Sequence, residues 1–143
     1  INLSKRRNVV SSPSPLGLGL ATRVHKIISF CAQPGNDRKS FESLLDDSLI
    51  SKLQQMNNDL VTVLGDRNSI NITMCNPRSL ATLQMTTLSD ASGDSKDLDL
   101  PLFGLWMFYF STDGPNWEIN TNWASSEYDR CQWYGIMCSS DNQ

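Results

Sequence analysis

The sequence predicts a mainly α-helical protein, with a helical N-terminal region followed by a small aromatic module that ends in a cysteine pair. Three observations predict this. Apolar residues at spacings of three and four run from Phe41 to Leu64. All four tryptophans lie between Trp106 and Trp133. Two of the four cysteines, Cys131 and Cys138, end that aromatic stretch.

At 143 residues the chain holds one ordinary domain or two small ones. A hydrophobic content of 39% supplies material for a core. The net charge of −3 hides an asymmetry. Residues 1–36 carry Lys5, Arg6, Arg7, Arg23 and Lys26 and no acid, so the remaining residues carry −8. No basic stripe runs through a folded part, which argues against a nucleic-acid partner. The basic leader reads as a solvated tail. It is rich in Ser and Arg and lacks acids, which also fits the tail of an organelle transit peptide. The longest apolar run, Leu98 to Phe110, is broken by Asp99, Pro101 and Gly104. That is too short to span a bilayer, so membrane association would come only through segments outside this chain. No initiator Met is present, as in a mature form or a fragment.

Residues 1–15 read as a basic, Ser/Pro-rich linker. Leu16 to Phe30 is compatible with a short helix whose first turn is weakened by Gly17 and Gly19. Pro34-Gly35 marks a turn, and Asn36 or Asp37 is suited to cap the clearest helix. Phe41, Leu45, Leu49, Leu53, Met56, Leu60 and Leu64 fall on one face of it, and Gly65 is the natural stop. Such a helix would be roughly 40 Å long and would pack within the molecule. Ile70, Ile72 and Met74 alternate with polar residues, as in a short strand. Ser79 to Leu88 is ambiguous: Leu80, Leu83 and Thr87 give a helical stripe, while the threonines favour a strand. The helical region therefore spans 16–88. Residues 89–99, polar and with four aspartates, read as an acidic linker and domain boundary.

Leu100 to Phe110 is expected to be a buried helix with Leu102, Leu105, Trp106 and Tyr109 on one face. Asp113-Gly114-Pro115 then breaks it. Small irregular modules of this kind rely on large aromatic side chains and a covalent staple rather than on regular packing.

An aromatic helix, then TDGPNW at 112–117, NW at 122–123 and CQWYGIMC at 131–138, together resemble the N-terminal cap of plant-type leucine-rich-repeat proteins. The wording from Tyr109 to Trp117 is particularly similar to caps of algal and diatom members. The resemblance covers about residues 100–143. It implies a Cys131–Cys138 disulfide, structural roles for Trp117, Trp123 and Trp133, and a tight passage at Gly135 into a first strand. It also implies that a protein or peptide ligand would be bound by repeats lying downstream, since only Ser139 to Gln143 follow the second cysteine.

Other chemistry finds little footing. The six residues between Cys131 and Cys138 do not match a redox pair, and no His lies near them for a metal site. Cys31 and Cys75 either form a second bridge, tying the first helix to the strand, or stay free and buried. Four cysteines allow three connectivities, and spacing alone does not choose among them. His25, the only histidine, lies in the basic leader far from any carboxylate or cysteine cluster, which removes Ser-His-Asp and Cys-His sites. Asp90, Asp94, Asp97 and Asp99 do not follow a calcium-loop pattern. Asp113 and Glu118 read as turn residues rather than an acid/base pair. LGLGL lacks the lysine and spacing of a phosphate loop. No catalytic residue, metal or cofactor is expected. Asn71-Ile72-Thr73 and Asn2-Leu3-Ser4 are glycosylation acceptor patterns, and Asn71 is the better placed, with Cys75 nearby. With the cap disulfide, it points to an extracellular or secretory-pathway location. The expected function is a non-catalytic protein-interaction module. The alternative is a structural subunit or assembly partner that docks through its helix and aromatic surface.

Overall fold

The ends of each helix show how the sequence partitions itself. The computed structural model describes residues 15–65, 71–92, 98–123 and 128–140. Within them lie four α-helices: α1 (Pro15–Ala32), α2 (Asp47–Leu64), α3 (Pro77–Ser92) and α4 (Leu100–Ser111). No strand occurs among the described residues, so the protein is mainly α.

Helix α1 buries Leu20, Val24, Ile27 and Ile28. Their spacing of four, three and one makes a single apolar stripe. The latter half of the basic leader is therefore a core helix and not a solvated tail. The apolar stripe outweighs the leader's charge because Lys26 and His25 stay exposed off the stripe, while Arg23 pairs with Asp46 at the start of α2. The Ser/Pro-rich linker up to residue 14 and the Asn2 triplet lie outside the described residues.

Helix α2 begins at Asp47 rather than at Asn36. Asp46 is its cap, accepting the Leu49 N–H at 2.8 Å. The residues before it pair elsewhere. The Phe41 N–H donates to the Thr73 carbonyl at 2.7 Å, the Cys75 N–H to Lys39 at 2.7 Å, and the Arg38 N–H to Cys75 at 3.0 Å. One antiparallel bridge, Ser40 to Met74, joins the two segments and is the one element of the expected strand among the described residues. Ile70 lies outside the described residues. Phe41 is fully buried because this loop turns it inward, although its position also fitted a helical stripe. The 18-residue helix is thus about 27 Å long. It buries Leu49, Leu53, Met56 and Leu60, while Leu64 stays 44% exposed. Gly65 ends it at φ 68°, with its N–H on the Val61 carbonyl at 2.9 Å.

Helix α3 resolves the ambiguous threonine-rich segment in favour of helix. Asn76 caps it, accepting the Ser79 N–H at 2.8 Å, and Pro77 fills the first helical position. It packs against α1, α2 and α4. Every residue from Ser79 to Thr86 is buried. A helix enclosed on all sides must satisfy its own hydroxyls. Thr82 donates to the Arg78 carbonyl at 2.7 Å and Thr86 to Leu83 at 2.6 Å, while Ser79 donates to Asn71 at 3.1 Å. The Cys31–Cys75 disulfide, with a Cα–Cα distance of 5.4 Å, pins the end of α1 to the loop just before α3.

The segment expected as a linker is part helix: α3 continues through Ser92, and residues 93–97 lie outside the described residues. Asp99 is no solvated linker acid. It caps α4 through the Leu102 N–H at 3.0 Å and holds Arg130 at 2.6 Å. The α3–α4 contact is the most extensive between helices, and core residues from α1 to Trp133 form one cluster.

Candidate interaction surface

Helix α4 is apolar over most of its circumference, so its neighbours decide which face is buried. Phe103, Trp106, Tyr109 and Phe110 point into the core. Leu102 and Leu105, expected on that face, are half-buried at its margin. The packing partner explains the difference: α3 lies against α4 and Trp133 against Trp106, with 4.7 Å between ring centroids.

After Ser111 the chain turns sharply. Asp113 takes φ 59° and accepts from the Asn116 amide at 2.9 Å, and Gly114–Asn116 form a short 3-10 turn. The Asn116 amide also donates to the Ala32 carbonyl at 3.3 Å, seating this turn on the end of α1. Asp113 is thus engaged in turn geometry, and Glu118 is exposed.

The three tryptophans beyond α4 meet its aromatic side chains. Tyr109 stacks on Trp123, with ring planes 9° apart and centroids 5.5 Å apart. Trp117 meets both edge-on at 5.2 Å. Trp123 continues to Trp133 at 4.9 Å, and Trp133 to Trp106. Aromatic pairs in such arrangements add about 0.5–1.5 kcal/mol each beyond burial. The indole N–H groups reach backbone carbonyls: Trp117 to Thr112 at 2.9 Å, Trp123 to Tyr134 at 2.8 Å and Trp133 to Tyr128 at 3.2 Å. Trp106 Nε1, buried at the centre, has no hydrogen-bond partner among the described residues. Burial pushes the Tyr109 hydroxyl up to about 12. A hydrogen bond with the Asn120 side chain opposes that rise, and the negative charge of Asp113 reinforces it.

The C-terminal loop closes over this cluster. Asp129 caps the short turn Arg130–Gln132, and Gln132 reaches back to the Asp129 N–H. The Asn122 amide donates to the Gln132 carbonyl at 2.8 Å. The Cys131–Cys138 disulfide spans a Cα–Cα distance of 5.5 Å. Gly135 takes φ 86°, a conformation that favours glycine. The residues after it form no strand within the described range. Two disulfides suit an oxidising compartment. No described helix is long and apolar enough to cross a membrane.

One side of the module stays open. Leu105, Phe108, Trp117, Ile119, Tyr134 and Ile136 are among the residues lining an apolar groove of about 340 Å³. Phe108 is 55% exposed, Ile119 47% and Tyr134 56%, and nearby in sequence Met137 is 93% exposed. The sequence reading singled out the half-buried Trp117 and the buried Trp123 and Trp133 but none of these four. Phe108 had a legible signal. It lies three residues after Leu105, on a second apolar stripe that a helix with a single buried face does not need. Of the other residues singled out, Asn71 is exposed in the loop before α3, away from this surface in sequence, and His25 is exposed on α1. Among the described residues no group of three or more His, Cys, Asp or Glu is placed to hold a metal.

The chain matches no family model, no curated protein and no solved structure.

Proposed function

We propose that the chain is a non-catalytic protein-interaction module from an extracellular or lumenal leucine-rich-repeat protein. Its C-terminal aromatic module serves as the cap that covers the first repeat of a solenoid. The observation that carries this reading is the open apolar side of the module. Phe108, Ile119 and Tyr134 leave ring and aliphatic surface to solvent beside a disulfide-closed loop. Surface of this kind marks a contact with another protein element. The repeats would bind a protein or peptide ligand on their concave side, and any membrane anchorage would come from segments outside these residues.

The second reading, an assembly partner docking through the same surface, is favoured by the exposure of Met137 at 93%, as an adaptable thioether suits a separate partner. Transcript sequencing past Gln143 separates the two. Leucine-rich repeats in frame support the cap. A stop codon directly after Gln143 rules it out and leaves the assembly partner.

A further inference from the structure

From the sequon and its geometry we infer that Asn71 carries an N-linked glycan, an inference that rests on the lumenal reading of the compartment. The sequence holds two acceptor triplets, and Asn71-Ile72-Thr73 is the one within the described residues. Such a triplet becomes a lasting glycosylation site only if the folded protein tolerates the sugar. Three features of the fold meet that requirement.

First, Asn71 is exposed in the loop ahead of α3. Second, its side chain is held through its oxygen. Oδ1 accepts the Thr73 hydroxyl at 2.8 Å and the Thr73 N–H at 3.0 Å. Glycosylation keeps the amide oxygen and replaces one Nδ2 hydrogen, so both bonds to Thr73 survive it. Third, the backbone beneath is anchored. The Asn71 carbonyl accepts from the buried Ser79 hydroxyl at 3.1 Å, and the Thr73 carbonyl accepts from Phe41 at 2.7 Å. Two residues beyond Thr73, Cys75 is bridged to Cys31. The sugar would therefore stand on a fixed base. None of the residues lining the aromatic groove comes from this loop, so the glycan and a partner on the groove need not compete for the same element.

The reaction is a group transfer from a polyisoprenoid-pyrophosphate-linked oligosaccharide. Asn71 Nδ2 forms a bond to the anomeric carbon, and the carbon–oxygen bond to the pyrophosphate breaks. The electron pair leaves with the lipid pyrophosphate, and Nδ2 loses one proton. No oxidant or reductant takes part.

The test uses protein isolated from its own source, with free thiols blocked at lysis. Peptides are treated with peptide-N-glycosidase in heavy-oxygen water and mapped by mass. The proposal expects heavy aspartate at position 71 in the bulk of the protein. In a secretory host, Thr73→Ser should retain the modification while Thr73→Ala and Asn71→Gln lose it. Unmodified Asn71 with both disulfides intact overturns the glycan and leaves the oxidising compartment standing. Unmodified Asn71 with free thiols overturns both. Sugar on Asn2 with bare Asn71 also overturns the proposal.

Discussion

Tyr109 lies directly over Gly114, so that a Cβ at position 114 would collide with three atoms of its ring. The residue that breaks α4 and the residue that organises the aromatic cluster are thus one packing unit. Gly114→Ala must push Tyr109 off its stack with Trp123, and overpacking of that kind costs about 1–3 kcal/mol. Gly104, in the middle of α4, has nothing within 4 Å of where its Cβ would stand. Gly104→Ala should instead stabilise by about 0.5–1 kcal/mol through helix propensity. Urea midpoints of the two variants should move in opposite directions.

The two disulfides should contribute unequally. Cys31–Cys75 closes a separation of 44 residues and Cys131–Cys138 one of 7. On the loop-entropy account, removing the first pair costs about 4 kcal/mol and the second about 2 kcal/mol. Paired Cys→Ser variants, compared by chemical denaturation, check the order. A larger loss from Cys131/Cys138 would mean that the loop-entropy account does not govern this protein.

Leu49 and Leu64 lie on the same sequence stripe and should behave differently. Leu49 is fully buried and Leu64 is 44% exposed. Leu49→Ala is expected to cost about 2–5 kcal/mol. Leu64→Ala should stay within about 0.5 kcal/mol. Equal losses would place Leu64 in the core and contradict this packing.

Stability should fall in alkaline solution because of Tyr109. Its hydroxyl is raised from 10.0 to about 12 by burial, so the unfolded chain releases that proton first. The contribution is fully present below pH 10 and is lost as pH rises toward about 12. The loss amounts to roughly 2–3 kcal/mol over that window. Tyr109→Phe should remove this share of the pH dependence, seen as a flatter denaturation midpoint across the same range.

Local chemistry was readable where local chemistry decides. Gly65 stops α2 as its sequence suggests, because a left-handed residue ends a helix whatever surrounds it. The stripe Leu49, Leu53, Met56 and Leu60 is the buried face for the same reason. The start of α2 was not readable. Phe41 and Leu45 keep helical spacing by coincidence, while backbone pairing with residues 73–75 draws that segment into a loop. Such pairing is non-local and leaves no periodic mark. In α3 the threonines suggested a strand. Their hydroxyls bond the helix's own carbonyls, so burial on every side leaves no polar face to read. In the aromatic module the buried tryptophans were legible as a group. The open groove was not, because exposure of Phe108 and Tyr134 depends on which sides α3 and the C-terminal loop happen to cover.

Each disulfide closes within its own part of the chain, one before α3 and the other after α4. Between those helices, only the main chain joins the halves covalently. A backbone cut placed in residues 93–97 would yield two fragments, each retaining its own crosslink. Their reunion would rest chiefly on the side chains that α3 and α4 bury against each other. The protein is in that sense built for complementation: two separately stapled pieces that recognise each other mainly through one helix–helix seam, with the turn at Gly114–Asn116 seated on the end of α1 beside it.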